Sequence, residues 1–168
     1  MIKISNKVLA DAAEKGPDEF LQAVTEACLN AVDGQLTAEN MDVLNGNQHT
    51  LVALHYFTTE MRDGGFVQLI QNGYGSYVFI NPLAKALKIF GANELSKLIY
   101  KAREIYEPNR EALERETTEE EFNAMYVDFE VFDDLEEIYF EIEESQMAII
   151  AHYVDEHLGA FVEVVEKL

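Results

Sequence analysis

Basic residues are scarce in this chain and cysteine is scarcer. Cys28 is the only cysteine among 168 residues, so no internal disulfide can form and a reducing cytoplasm is the expected setting. No apolar run approaches the roughly 20 residues needed to span a bilayer, so no membrane association is expected. The opening Met1-Ile2-Lys3-Ile4-Ser5-Asn6-Lys7 leads into a mixed amphipathic stretch rather than the apolar block of a signal peptide. Period-2 alternation, the mark of a half-buried strand, is weak throughout. Internal repeats, low-complexity linkers and a second apolar core are also missing.

Catalytic signatures are missing as well. The chain has no H-E-x-x-H, no Walker loop and no nucleophile elbow. Gly73-Tyr74-Gly75 is a fragment of a glycine-rich phosphate loop that follows no strand. A di-iron bundle needs Glu-x-x-His on two helices, and none of the four histidines has Glu three residues before it. An EF-hand needs a central glycine, which Asp128, Glu130 and Asp133 lack. His49 and His55, like His152 and His157, are spaced off a shared helical face, so they read as ordinary core and surface histidines. Cys28 lies on an apolar stripe with no base nearby in sequence and reads as an inert buried thiol. No catalytic residue, cofactor or metal is assigned.

What the chain does have is enough apolar mass for a core: 48% hydrophobic residues, with 10 Phe and 8 Tyr, which argues against disorder despite the charge. Helix starts and stops recur. Ser5 is a candidate cap for a helix over Asn6 to Lys15, closed by Gly16. Pro17, Asp18 and Glu19 suit the first turn of the next helix, which carries Phe20, Leu21, Val24, Cys28, Leu29 and Val32 on one stripe until Asp33-Gly34. Thr37 opens a short segment to Leu44. A helix from Gln48 to Arg62 turns Leu51, Leu54, His55, Phe57 and Thr58 inward. After Asp63-Gly64-Gly65, a short helix runs over Phe66 to Ile70. Tyr74 to Ile80 has strand composition but no partner strand, and reads as a loop. Helices follow from Asn81 or Pro82 to Phe90, and from an Asn93 cap to Glu107. Thr118-Glu119-Glu120-Glu121 is a capping-box pattern. One or two long helices are expected from about Asp133 to His157, and a last helix from about Gly159 to Lys167. The expected fold is therefore all-α: a single compact multi-helix domain over residues 1–168, with an acidic C-terminal third.

The charge is regional. Residues 1–115 hold 15 acids and 11 bases, whereas residues 116–168 hold 17 acids and one base, Lys167. Most of the net charge of −20 therefore sits in the last third, where it repels nucleic acid and attracts basic protein surfaces. Asp133, Glu137, Glu141 and Glu144 fall at i, i+4, i+8 and i+11, one face of a helix, with successive carboxylates about 5–6 Å apart. Leu135, Ile138, Tyr139, Ile142 and Met147 form the expected core stripe. Like charges at i, i+4 cost a few tenths of a kcal/mol each, and no Lys or Arg in this stretch offsets them. A solubility surface mixes signs, so the sacrifice points to a functional surface. Tyr126, Phe129 and Phe132, interleaved with the acids, fit either the core or that surface.

The run Glu60-Met61-Arg62-Asp63-Gly64-Gly65-Phe66-Val67-Gln68-Leu69-Ile70-Gln71-Asn72-Gly73 carries a double glycine, then Phe-x-Gln, then Asn-Gly. With Ala86-Leu87-Lys88-Ile89-Phe90-Gly91-Ala92 and the acidic Asp133-Asp134-Leu135-Glu136, it resembles a family of acidic, all-helical bacterial DNA-mimic proteins of about 19 kDa. The resemblance spans roughly Leu51 to Phe161. It implies a protein that occupies the DNA-binding surface of a helix-turn-helix transcription factor and keeps it off its operator. The signature itself carries no such chemistry: its glycines most simply permit a turn, while Phe66 and Gln68 pack and cap it. The expected contact residues come from the acidic third: Glu119, Glu120, Glu121, Asp128, Glu130, Asp133, Asp134, Glu137, Glu141 and Glu144. Arginines and lysines of a basic partner would meet them as they meet phosphate. A homodimer would match two recognition helices about 34 Å apart better than one globule with a radius of gyration of about 15 Å. Two other readings stay open: a scaffold or neutraliser of another basic protein, and an enzyme using a carboxylate pair.

Overall fold

The structure is a computed structural model, and it describes residues 1–167. Among the described residues it holds nine α-helices: α1 (Asn6–Ala13), α2 (Pro17–Asn30), α3 (Gly46–Asp63), α4 (Gly65–Gln71), α5 (Leu83–Ile89), α6 (Asn93–Tyr106), α7 (Arg110–Glu114), α8 (Glu119–Asp128) and α9 (Asp133–Glu156). Two three-residue strands, β1 (Lys3–Ser5) and β2 (Glu163–Val165), complete the chain. The all-α expectation holds, and among the described residues no helix is long and apolar enough to cross a membrane.

Helix starts follow local chemistry where the cap is local. Asn45 caps α3 by accepting the Gln48 N–H at 2.9 Å, and the Gln48 side-chain oxygen accepts the Asn45 N–H at 2.8 Å. This reciprocal box starts the helix two residues before the expected Gln48. Thr118 caps α8 through the Glu121 N–H. Ser5 makes no side-chain cap because it belongs to β1, and Asn93 is the first residue of α6 rather than its cap. The donor there is met from another helix: buried Gln146 of α9 accepts the Leu95 N–H at 3.1 Å.

Two segments depart from expectation. Gly159 to Lys167 is not a helix. Leu158–Ala160 forms one 3-10 turn, and β2 then pairs in parallel with β1, Ile4 opposite Val164. Pairing with the distant N-terminus buries Phe161, Val162 and Ile4, a long-range gain that overrides local propensity. Tyr74 to Ile80 is no open loop: Ser76–Ile80 forms a π-helical turn that buries Val78 and Phe79. Thr37 to Leu44 holds turns and a 3-10 segment, Met41–Val43.

The core gathers around α3. Phe57 meets Tyr139 edge-on at 5.4 Å, Phe66 stacks on Phe132 at 5.1 Å, and Phe79 lies 4.8 Å from Tyr106. A small satellite cluster joins Cys28, Val32, Leu44 and Val52. Burial pushes the Cys28 thiol up to about 11, so it stays protonated and unreactive. The stripe expected on α3 is buried except for half-buried His55.

The α3–α4 junction depends on a left-handed glycine. Gly65 has φ +77°, and a Cβ there would lie 2.1 Å from the Glu136 Oε1. That oxygen accepts the Phe66 N–H at 2.9 Å, so α9 is tied to the first turn of α4. Gly34 shares the left-handed geometry, φ +80°, but faces open space. Gly65→Ala is expected to cost roughly 2–3 kcal/mol, backbone strain plus a displaced hydrogen bond. Gly34→Ala should cost about 1–2 kcal/mol, from strain alone. Urea midpoints of both variants check the difference, and equal losses would mean that Glu136 does not anchor the turn.

Candidate functional site

The long helix α9 separates its acids into two sets. Glu136 and Glu143 turn toward the protein. Glu136 meets the Gly65 turn, and Glu143 pairs with Arg62, which also lies 3.9 Å from Asp18. Asp133, Asp134, Glu137, Glu141 and Glu144 stand exposed on the opposite side, and among the described residues none of them forms an ion pair. The ladder read from the i, i+4 spacing is therefore a bare, one-sided row of carboxylates. It is about 16 Å long at 1.5 Å per residue. One DNA strand places a phosphate every 3.4 Å or so along its axis, about five in that length, against four carboxylates on the ladder.

The remaining acids lie on α8 and in the turn that leads from it into α9. Asp128 and Glu130 are exposed between α8 and α9, and Glu119 and Glu120 are exposed on the first turn of α8. The α8 pair also complements the positive end of its own helix, a structural role independent of any partner. Glu121 is engaged internally. The Thr118 hydroxyl, and after it Arg115, holds its carboxyl below the usual range, with Arg115 Nη1 at 2.8 Å.

The interleaved aromatics belong to the interior. Phe132 is buried against Phe66, Phe129 is half-buried, and the half-buried Tyr126 donates its hydroxyl to the Gly64 carbonyl at 3.0 Å. The double-glycine signature thus serves as the socket in which α8 and α9 sit. Gln68 extends the socket by donating to Glu60 and Asp63, at 3.0 and 2.7 Å. Of the expected core stripe on α9, Leu135, Tyr139 and Met147 are buried and Ile142 is half-buried, but Ile138 is exposed. Its position falls at the edge of the helix's buried arc.

A hollow between α2, α3 and α9 encloses about 270 Å³ and is lined by Asp18, Thr25, His55, Thr58 and Arg62 among others. Burial there lowers His55, with Glu26 opposing, while Arg62 is committed to Glu143 and Asp18. Among the described residues no three His, Cys, Asp or Glu side chains converge to hold a metal. The carboxylate displaced upward is Glu136: burial raises it and Asp133 adds to the effect, against the Phe66 N–H. It faces a backbone amide and a glycine, which makes it an anchor.

Fold and surface together define an acidic, all-helical protein that presents an unpaired carboxylate face to cationic groups. The family model described as DMP19-like protein matches residues 42–157, from just before α3 to the end of α9, and the chain belongs to that family. It is similar to the DNA mimic protein DMP19 of Neisseria meningitidis serogroup B (strain ATCC BAA-335 / MC58), with 28% identity over 155 residues covering 92% of this chain and 93% of the relative. The family resemblance read from the Gly64-Gly65-Phe66 run is borne out.

The raised Glu136 has a pH signature of definite sign. Its native pKa lies above its unfolded value, so the protonated side chain favours folding. That contribution is full below the unfolded value and lost as pH rises through the native one. Glu136→Gln keeps an acceptor for Phe66 and removes the charge, so it should be more stable than the parent at neutral pH. The advantage should shrink as pH falls to about 4. Urea titrations across that window check this, and a pH-independent difference would contradict it.

Proposed function

We propose that this chain is a DNA mimic: its exposed carboxylates stand in for phosphates on the DNA-binding face of a helix-turn-helix transcription factor, and by occupying that face it keeps the factor off its operator and so regulates transcription. The observation that carries the reading is the bare ladder Asp133, Glu137, Glu141 and Glu144, exposed and, among the described residues, without an internal cation. The named relative supports it, since that protein is a DNA mimic. Asp134, Asp128, Glu130, Glu119 and Glu120 extend the surface. Glu121 contributes after exchanging Arg115 for a partner's base. Arginine forks would meet these groups bidentately, as they meet phosphate. A recognition helix is flanked by phosphate-contacting side chains, which suits a row of carboxylates on a rigid helix. Two copies would present two rows to a dimeric repressor whose half-sites lie about 34 Å apart. The cytoplasm, where such factors act, is the proposed setting.

The test begins with capture of a DNA-binding protein from the native cytoplasm on the immobilised chain, followed by gel-shift competition on that protein's operator. The parent should release the DNA, with affinity falling as salt rises. The slope should be shallower than that of the DNA itself, because a folded protein lacks DNA's condensed counterions. Asp133→Lys, Glu137→Lys and Glu141→Lys together should abolish competition at unchanged helicity. Asp11→Lys, Glu14→Lys and Glu26→Lys together, an equal charge change on the N-terminal helices, should leave most of it. If the α9 variant displaces DNA as well as the parent, the ladder is only a solvated face.

A further inference from the structure

Apolar side chains stand bare on both margins of the ladder. Going round α9 at 3.6 residues per turn, Asp133, Glu144, Glu137, Glu141 and Asp134 fill one continuous arc. Phe140 lies at one edge of that arc and Ile138 at the other, 55% and 41% exposed. Val131, in the turn that enters α9, is 55% exposed. Single apolar side chains on a surface are ordinary. These differ in their setting, because a surface normally shields such groups with the aliphatic stems of lysine and arginine, and α9 contains neither.

Charge complementarity identifies what would cover them. A face that binds DNA does not carry bases alone. Its arginines and lysines reach the phosphates, while apolar side chains between them meet sugars and thymine methyls in the groove. A carboxylate row with apolar margins matches that alternation, whereas a carboxylate row alone would match any polycation. We infer that Phe140, Ile138 and Val131 form the apolar half of the same interface. They dock against the apolar side chains interspersed among the bases of the partner's DNA-binding face, and they select such faces over merely basic ones. The inference rests on the proposed DNA-mimic reading and adds the selectivity that charge cannot supply. Screening weakens the carboxylates as salt rises, but apolar burial is not screened, so the preference should persist in salt.

Two labelled peptides with the same number of arginines test this against the full chain: an oligoarginine, and a longer amphipathic helical peptide with leucines between its arginines. The chain should bind the amphipathic peptide roughly ten-fold more tightly or better, as expected for burying about one large apolar side chain, and the margin should survive raised salt. Phe140→Ser should reduce the margin and leave oligoarginine binding unchanged. Ile138→Ser with Val131→Ser should do the same independently, so the result does not hang on the folding of one variant, and helicity is checked for each. Asp133→Asn, Glu137→Gln and Glu141→Gln together should weaken both peptides. Equal binding of the two peptides by the parent, or a margin that neither apolar variant reduces, overturns the inference while leaving the carboxylate reading intact. A triple variant that binds both peptides like the parent overturns the carboxylate reading, and the inference with it.

Discussion

The stack of Phe66 on Phe132, closed by the Phe66 N–H donating to Glu136, is the contact on which the acidic surface depends. Phe66 follows the left-handed glycine that opens α4, and Phe132 immediately precedes α9. Joining them fixes where the long acidic helix begins and how it is rotated about its axis. Once Leu135, Tyr139 and Glu136 are seated, the residues one and two positions away, Asp133, Asp134, Glu137 and Glu141, have only solvent to face. The family signature and the charged surface, separate observations in sequence, are thus two sides of one joint. The signature holds the helix and the helix presents the charge.

That arrangement gathers like charges, and the fold offsets them at other points. Arg62 neutralises Glu143 and reaches Asp18, and Arg115 takes Glu121. Cations are therefore spent where acids turn inward or close a cap, and are withheld from the exposed row. Asp133, Asp134 and Glu136 also lie in the first turn of α9, where the helix dipole favours negative charge. The ladder concentrates in the N-terminal half of the helix, where it is least costly.

Much of this was legible in the sequence, for identifiable reasons. The helices show because many of their stops are glycines and because a local cap such as Thr118 can be read from the residues beside it. The ladder shows because i, i+4 spacing places residues on one face whatever surrounds them, and the same spacing left Glu136 and Glu143 outside it. What stayed hidden depends on distant partners. The strand over Glu163–Val165 exists because Lys3–Ser5 is beside it, and the start of α6 is capped by Gln146 from α9. The π-turn over Ser76–Ile80 is held by the burial of Val78 and Phe79. Ile138 fits a helical core stripe by spacing, and spacing alone does not say which residues at the edge of the stripe stay uncovered. The apolar margins of the ladder were invisible for that same reason.

The central claim is that the exposed row on α9 is the surface a basic partner touches. Zero-length carbodiimide cross-linking tests it most directly, since the reagent joins a carboxylate to a lysine only where the two are in contact. Applied to the chain with the DNA-binding protein it captures, and mapped by mass spectrometry, the cross-links should fall on Asp133, Glu137, Glu141 and Glu144 and disappear when operator DNA is added in excess. Cross-links confined to the acids of α1 and α2, or unchanged by DNA, would contradict the account.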